Sequence, residues 1–421
     1  MRAPAQFWRA ARLQLNANGT PYLNAANVAR VLDFHPDYKG ALYFDRFYQR
    51  VRVDHDATPR DWRDVDELRL LRLLQTEVGL PRIGIDPVRQ GVELVAHEHE
   101  RCEPLSWLLG LRWDGVSRAD LLVSRAFGGD DTAYAIAIGA NLLKAAAARL
   151  IWPGCKHDHI VVLESGQGRL KSQALETLGG DWYGEILSPL GSKDAILELH
   201  GRLIVELPEL EALNRREPET IKAFASRRVD NFRPPYGRRT LELPRTSVMV
   251  GTTNESHYLR DATGARRFWP VRCGAIDLDW IGANREQLFA EALHRVRELR
   301  EPWWEVPAGE AAAAQEQRYE GDPWEDRVAM HVAQLRQVEI GELLRAAVGL
   351  EAARQDRRAQ LRAGAILRRL GWARRQVGAL RRRVWEAPAE EGSVGSGVVR
   401  LDRRARSASE PTEPIEPSSG K

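Results

Sequence analysis

"VVLESGQGRLKSQAL", residues 161–175, is the stretch whose reading decides the fold. Val161, Val162 and Leu163 suit a buried strand, Gly166-Gln167-Gly168 a turn, and Lys171-Ser172 the start of a helix. A strand, a glycine turn and a helix in that order let backbone N–H groups face an anion, and the helix N-terminus adds a favourable dipole. The usual nucleotide loop reads G-x-x-x-x-G-K-[ST]. Here Ser165 stands where its first glycine belongs and Leu170 where its last belongs. On this reading Gly166, Gln167 and Gly168 cradle the phosphates of ATP. Lys171 reaches the β- and γ-phosphates, and the Ser172 hydroxyl binds Mg²⁺.

Two further strands follow. "GRLIVELPEL", 201–210, is apolar up to Glu206, with Glu209 just beyond. A carboxylate at a strand tip beside the loop supplies a second Mg²⁺ contact and a base that orients water. Glu206 and Glu209 can exchange these roles. "TSVMVGTTN", 246–254, ends in Asn254, placed to sense the γ-phosphate or its attacking water. Arg266-Arg267 then follow a glycine turn in "YLRDATGARRFWPV", 258–271. A cation brought to the γ-phosphate stabilises transition-state charge and is worth about 10³–10⁵ in rate.

The alternation of apolar strands and helices from 156 to 300 is that of an α/β domain with a largely parallel sheet. A chain of 421 residues holds two or three domains. We place an N-terminal mixed α/β region at 1–103 and a helical collar plus ATPase domain at 104–305. A linker at 306–318, a winged-helix-like domain at 319–388 and a disordered tail at 389–421 follow. Within the first region a helix starts near Asn24, and another, ending at Gly79, turns Val65, Leu68, Leu71 and Leu74 to one side. A hydrophobic share of 43% and a charged share of 29% are those of a globular chain. No apolar run reaches the roughly 20 residues of a membrane helix. The N-terminus lacks a secretory core, so the cytoplasm is expected. Three scattered cysteines form no disulfide framework. "HEHERC" and "CKHDH" lack the paired spacing of zinc sites.

Net charge is only +3, but its distribution is uneven. Arg227, Arg228, Arg233, Arg238, Arg239 and Arg245 alternate with Phe232 and Tyr236, cations and rings suited to single-stranded DNA. Between Arg354 and Arg383 stand eleven arginines against one acid, Asp356. "VEIGELLRAAVG" and "AGAILRRLGWARRQVGALRRRVWEAP" read helix, helix, strand-turn-strand, the order of a winged helix that grips duplex DNA.

"LLGLRWDGVSR", "WPGCKHDHIVVLESGQGRLKS", "GRLIVELPELEAL", "IKAFASRRVDNFRPPYGRRTLELPRTSVMVGTTN" and "YLRDATGARRFWPV" together resemble the virulence-associated protein E family of phage and genomic-island proteins, related to superfamily 3 helicases. The resemblance covers about residues 20 to 300. It implies a P-loop ATPase core of AAA+ type, a ring, taken as a homo-hexamer, around DNA, and an arginine finger from a neighbouring subunit. Lys171 and Ser172 match the phosphate loop, Glu206 and Glu209 the acidic strand end, Asn254 the sensor and Arg266 or Arg267 the finger. Lys222 and the segment to Arg239 match the stretch that contacts DNA inside the ring. The family's loop usually carries glycine where Leu170 stands. A left-handed backbone there would cost about 1–3 kcal/mol, up to about a hundredfold in affinity. Two functions therefore stay open. One is an ATP-driven DNA helicase, translocase or replication initiator of a mobile element. The other is a non-catalytic DNA-binding or replication-assembly factor with a degenerate loop.

Overall fold

Residues 4–55, 58–210, 218–232, 240–259, 265–377 and 381–388 are described by the computed structural model. The chain divides into two units, Met1–Asp322 and Pro323–Lys421.

The first unit opens with α1 (Pro4–Ala10), α2 (Ala25–Phe34) and the antiparallel meander β1 (Leu42–Asp45), β2 (Arg50–His55) and β3 (Thr58–Asp61). Next come α3 (Asp64–Thr76) and α4 (Ile85–Glu98). Asn24 caps α2, its side chain accepting from the Asn27 N–H at 2.9 Å. In α3 the inward face agrees with the one read off the sequence at Leu74 and, partly buried, Leu71, and differs at the other two positions. Val65 and Leu68 are exposed, and Asp66, Leu70 and Leu74 are buried. Asp66 turns inward because Arg60 clamps it with two hydrogen bonds and the Arg63 N–H caps on it. That rotates the helix away from its most apolar stripe.

After α5 (Glu103–Gly110) and α6 (Ala133–Ile151) comes a five-stranded parallel sheet: β4 (Ile160–Glu164), β5 (Tyr183–Glu185), β6 (Ile204–Leu207), β9 (Val248–Thr253) and β10 (Phe268–Arg272). Its order is β10-β4-β9-β6-β5. Three of these strands were legible as apolar runs; the edge strands β5 and β10 were not. Alternate residues feed two cores, as expected of a parallel sheet covered on both faces. Val161 and Leu163 pack with α6, α7 (Lys171–Gly179) and α10 (Leu278–Arg297). Ile160 and Val162 pack with α8 (Lys193–Leu199) and α9 (Pro218–Ala225). A small antiparallel pair, β7 (Val229–Phe232) and β8 (Leu241–Pro244), lies between β6 and β9 in the chain.

The expectation of no membrane-length apolar run needs a correction. At 19 residues α6 is long and apolar enough by composition, but 83% of its apolar window is buried inside the protein. Its polar residues are tied down there. Asn141 donates to the Glu305 carbonyl, Lys144 to the Pro302 carbonyl and Arg149 to the carbonyls of Arg245 and His157.

The segment expected as a linker contains α11 (Ala308–Gln317), packed on β10 inside the first unit. Arg318, at its end, is 8% exposed because it neutralises the buried Glu164.

The second unit runs α12 (Glu325–Val332), β11 (Gln337–Val338), α13 (Ile340–Leu343), α14 (Arg357–Arg369), β12 (Ala373–Val377) and β13 (Arg382–Glu386). Its antiparallel sheet has the order β11-β13-β12. Val328, Leu343, Leu367, Trp372 and Trp385 form its core. Asp356, the one acid of the arginine-rich stretch, is spent on capping α14 through the Ala359 N–H at 2.7 Å. Arg357, Arg358 and Arg368 of α14 and Arg374, Arg375, Arg382 and Arg383 of the hairpin are exposed. The tail expected over 389–421 lies outside the described residues.

Arg245 is 4% exposed, as is Asp230, and the two are joined by two hydrogen bonds of 2.7 and 2.8 Å. Arg245 is thus structural and not part of a DNA surface. Arg245→Met leaves the Asp230 carboxylate buried and unpaired. It is expected to lower stability by about 3–5 kcal/mol in a urea titration.

Candidate active site

The ends of β4, β9 and β6 are brought side by side by the register, which pairs Glu164 with Thr253 and Leu207 with Gly251. Polar ligands collect outside the carboxyl ends of such strands, because both faces of the sheet are filled. A cleft of about 380 Å³ lies there, bordered by Lys171, Ser172, Glu206, Glu209, Thr252 and Asn254. Five of these six were singled out from the sequence.

Lys171 is the first residue of α7, and its ammonium is held over the loop. It donates to the Ser165 carbonyl at 2.9 Å, to Ser165 Oγ at 3.0 Å and to Asn254 Oδ1 at 2.9 Å. Loop lysine and candidate sensor are thereby in direct contact across two strands. Ser172 donates to Glu206 Oε1 at 2.9 Å. Glu206 is 1% exposed and accepts two more hydroxyls, Thr252 Oγ1 at 2.5 Å and Tyr183 OH at 2.6 Å. Burial, and then the bond to Glu206, push the Tyr183 phenol well up, so it stays a donor. Glu209 lies at the mouth, exposed, with φ 49°. The two acids therefore occupy unlike environments: one locked by three hydroxyls, the other open to water.

Leu170 has φ 61° and ψ 18°, the left-handed backbone that glycine adopts freely. Gly168, two residues earlier, also has positive φ. The geometry is imposed by the entry into α7, where the Leu170 carbonyl already accepts the Ala174 N–H at 2.9 Å. Gly166 has open space around it.

Arg266 and Arg267 are not in the cleft. They form a short turn just before β10, and β10 runs parallel to β4 with Phe268 opposite Ile160. The start of β10 is thus four residues from Glu164, about 13 Å at about 3.3 Å per residue. Arg266 is exposed, and Arg267 donates to Ser226 Oγ at 3.1 Å.

Among the basic residues, Lys222 is 6% exposed, so its ammonium is not presented at the surface, contrary to expectation. It lies on the inward side of α9, beside the buried Ile221. Arg227 is exposed and stacks over Phe224, while Arg228 donates to the Gly154 carbonyl at 2.7 Å. Arg233, Arg238 and Arg239 lie outside the described residues. His157 is buried, which lowers its pKa well below the usual value, and the His159 ring stacks on Trp269 at 4.1 Å.

Sequence reasoning missed Thr252, Tyr183 and a buried cluster behind the loop, in which Tyr258 and Arg318 bind the Glu164 carboxylate. Thr252 had a local signal, as a polar residue ending an apolar strand. Tyr183 and Arg318 had none, since nothing near them in the chain marks a partner.

Among the described residues no group of three or more His, Cys, Asp and Glu is placed to hold a metal ion. Ser172 and Glu206, adjacent at the cleft edge, fit Mg²⁺ bound with a nucleotide, because that ion takes one or two protein oxygens and completes its shell with phosphate and water.

A family model described as the virulence-associated protein E-like domain matches residues 108–321. No curated protein matches the chain. Solved structures of the NrS-1 C-terminal region align with the chain. One apo structure of residues 305–718 aligns with a TM-score of 0.45 and 12% identity, covering 77% of this chain and 83% of that one. An A-form apo structure of the same region aligns with a TM-score of 0.47 and 12% identity, covering 82% and 96%.

Leu170→Gly relieves a left-handed leucine worth about 1–2 kcal/mol. It adds about 0.4–1 kcal/mol of chain entropy to the unfolded state. The expected outcome is an unchanged or raised stability, by up to about 1.5 kcal/mol, read as the midpoint of thermal unfolding.

Proposed function

The chain belongs to the virulence-associated protein E-like family, and from that premise we propose that it is an ATP-dependent DNA helicase, translocase or replication initiator that hydrolyses ATP between subunits of a ring. Family membership supports a phage-type, replication- or helicase-related role. One observation carries the finer reading: Lys171, Ser172, Glu206 and Asn254, from three separate segments, meet around one cleft at the strand ends. The insertion of β9 between β4 and β6 is what brings them together, and it supports an AAA+-type core.

Each residue then has a task. Loop N–H groups and the α7 N-terminus receive the β- and γ-phosphates of the substrate. The Lys171 ammonium exchanges the Ser165 and Asn254 oxygens for phosphate oxygens and follows charge as it develops. Ser172 and Glu206 would hold Mg²⁺, which when bound neutralises charge on the phosphates. Glu206 is fixed in place by three hydroxyls, so it anchors. Glu209 is exposed at the mouth and orients the attacking water. Asn254, bonded to Lys171, reports whether the γ-phosphate is present. The arginine finger is supplied in trans, because Arg266 and Arg267 lie at the opposite end of their own strand pair. This supports a homo-oligomeric ring, proposed as a hexamer.

For DNA, Arg227 and the segment through Arg233, Arg238 and Arg239 contact a single strand within the ring. The second unit, with the arginines of α14 and the β12–β13 hairpin on its surface, grips a duplex as a winged helix does.

The test is steady-state ATP hydrolysis with Mg²⁺, with and without single-stranded DNA. DNA-stimulated turnover is expected, reduced at least about a hundredfold in Lys171→Ala. Native protein that binds DNA but never turns over ATP would instead make this a non-catalytic assembly factor, with strained Leu170 as the lesion. Arg266→Ala or Arg267→Ala is expected to cost about 10³-fold. Mixing the inactive finger variant with Lys171→Ala should recover turnover, because some interfaces then carry both groups. Absence of recovery with intact assembly rules out the finger in trans.

A further inference from the structure

Glu164 ends β4 and immediately precedes the phosphate loop, yet its carboxylate belongs to no part of the site above. It is 7% exposed. Arg318 holds it through Nε at 2.9 Å and the terminal nitrogen Nη2 at 2.8 Å, and Tyr258 OH donates to it at 2.7 Å. Tyr258 is fully buried and Arg318 is 8% exposed. The backbone around them is stitched as well. The Tyr258 and Leu259 N–H groups both donate to the Arg318 carbonyl at 3.0 Å, and the Glu320 N–H donates back to the Leu259 carbonyl at 2.9 Å. Tyr258 follows Asn254 by four residues, so one short segment touches both the Lys171 ammonium and the Glu164 cluster.

We infer that Arg318 is a positioning residue for the phosphate loop, acting through Glu164. The inference rests on the ATP reading proposed above. The next residue after Glu164 is Ser165, whose carbonyl and hydroxyl hold Lys171. An uncompensated carboxylate at Glu164 would be a buried negative charge directly behind a loop meant for a triphosphate. It would compete for the Lys171 ammonium and repel the substrate. The planar guanidinium of Arg318 neutralises that charge and fixes the carboxylate in one orientation, as a fork does and an ammonium does not. The residue comes from the last turn of the first unit, 154 positions along the chain from its partner. The nucleotide site thus depends on a segment beyond the sheet.

The experiment measures equilibrium binding of a fluorescent ATP analogue to the full chain, together with thermal unfolding. Arg318→Met is expected to weaken binding at least about tenfold. The charge-neutral pair Glu164→Gln with Arg318→Met should return to within about threefold of native, a rescue that loss of packing alone would not give. Native affinity in folded Arg318→Met, or a double variant as weak as the single, overturns the inference. If Arg318→Met fails to fold, Arg318→Lys carries the test. It keeps the charge without the fork and should lose at least threefold at an unchanged unfolding midpoint; no loss overturns the inference. Lys171→Ala is the control for the ATP reading itself. Native binding in that variant refutes the nucleotide site, whereas lost binding there with native binding in Arg318→Met refutes only the role of Arg318.

Discussion

A parallel sheet covered on both faces has no side on which to place polar chemistry. In β4, Ile160 and Val162 are committed to one core and Val161 and Leu163 to the other. Groups that must meet water or a phosphate are left with the strand ends, and the order β10-β4-β9-β6-β5 decides which ends are neighbours. From this constraint follow the position of the cleft, the contact of Lys171 with Asn254 and the reach of Ser172 to Glu206. The same constraint removes Arg266 and Arg267 from their own cleft, since they precede a strand that runs parallel to β4.

Buried charge is the second theme, and it is paired with unusual thoroughness around the loop. Glu206 is surrounded by three hydroxyls, Glu164 by a guanidinium and a phenol, and Asp230 by Arg245. A carboxylate taken from water without such partners costs several kcal/mol. Each cluster therefore couples segments that would otherwise move independently. The exposed Glu209 and the left-handed Leu170 are the loose and strained points in this otherwise satisfied setting. Such points are where a site retains freedom to respond to a ligand.

Much of this was legible in the chain because the signals are local. The run Val161–Leu163, the glycines at 166 and 168 and the pair Lys171-Ser172 specify strand, turn and helix by period and backbone preference alone. Asn24 announced a cap, and Leu170 announced a left-handed residue by standing where glycine belongs. Other signals misled. The apolar stripe of α3 pointed to Val65 and Leu68, but Arg60 turned Asp66 inward instead. Lys222 looked like a surface cation and is buried. The segment 306–318 looked like a spacer because alanine and glutamate carry little pattern, and in the fold it is docked with Arg318 paired to Glu164.

By itself, then, the sequence determined the glycine turn at 166–168, the strand before it and the helix after it, the acids and asparagine that end the next strands, and the arginine-rich character of the second unit. Those features depend on residues near one another in the chain, where spacing and conformational preference suffice. Only the tertiary structure decided which strand ends adjoin, which acid is locked and which is open, where the paired arginines lie, and that Tyr183 and Arg318 support the site. Those are pairings across many residues of chain, set by strand order and by the cost of leaving a buried charge alone, and no local pattern records them.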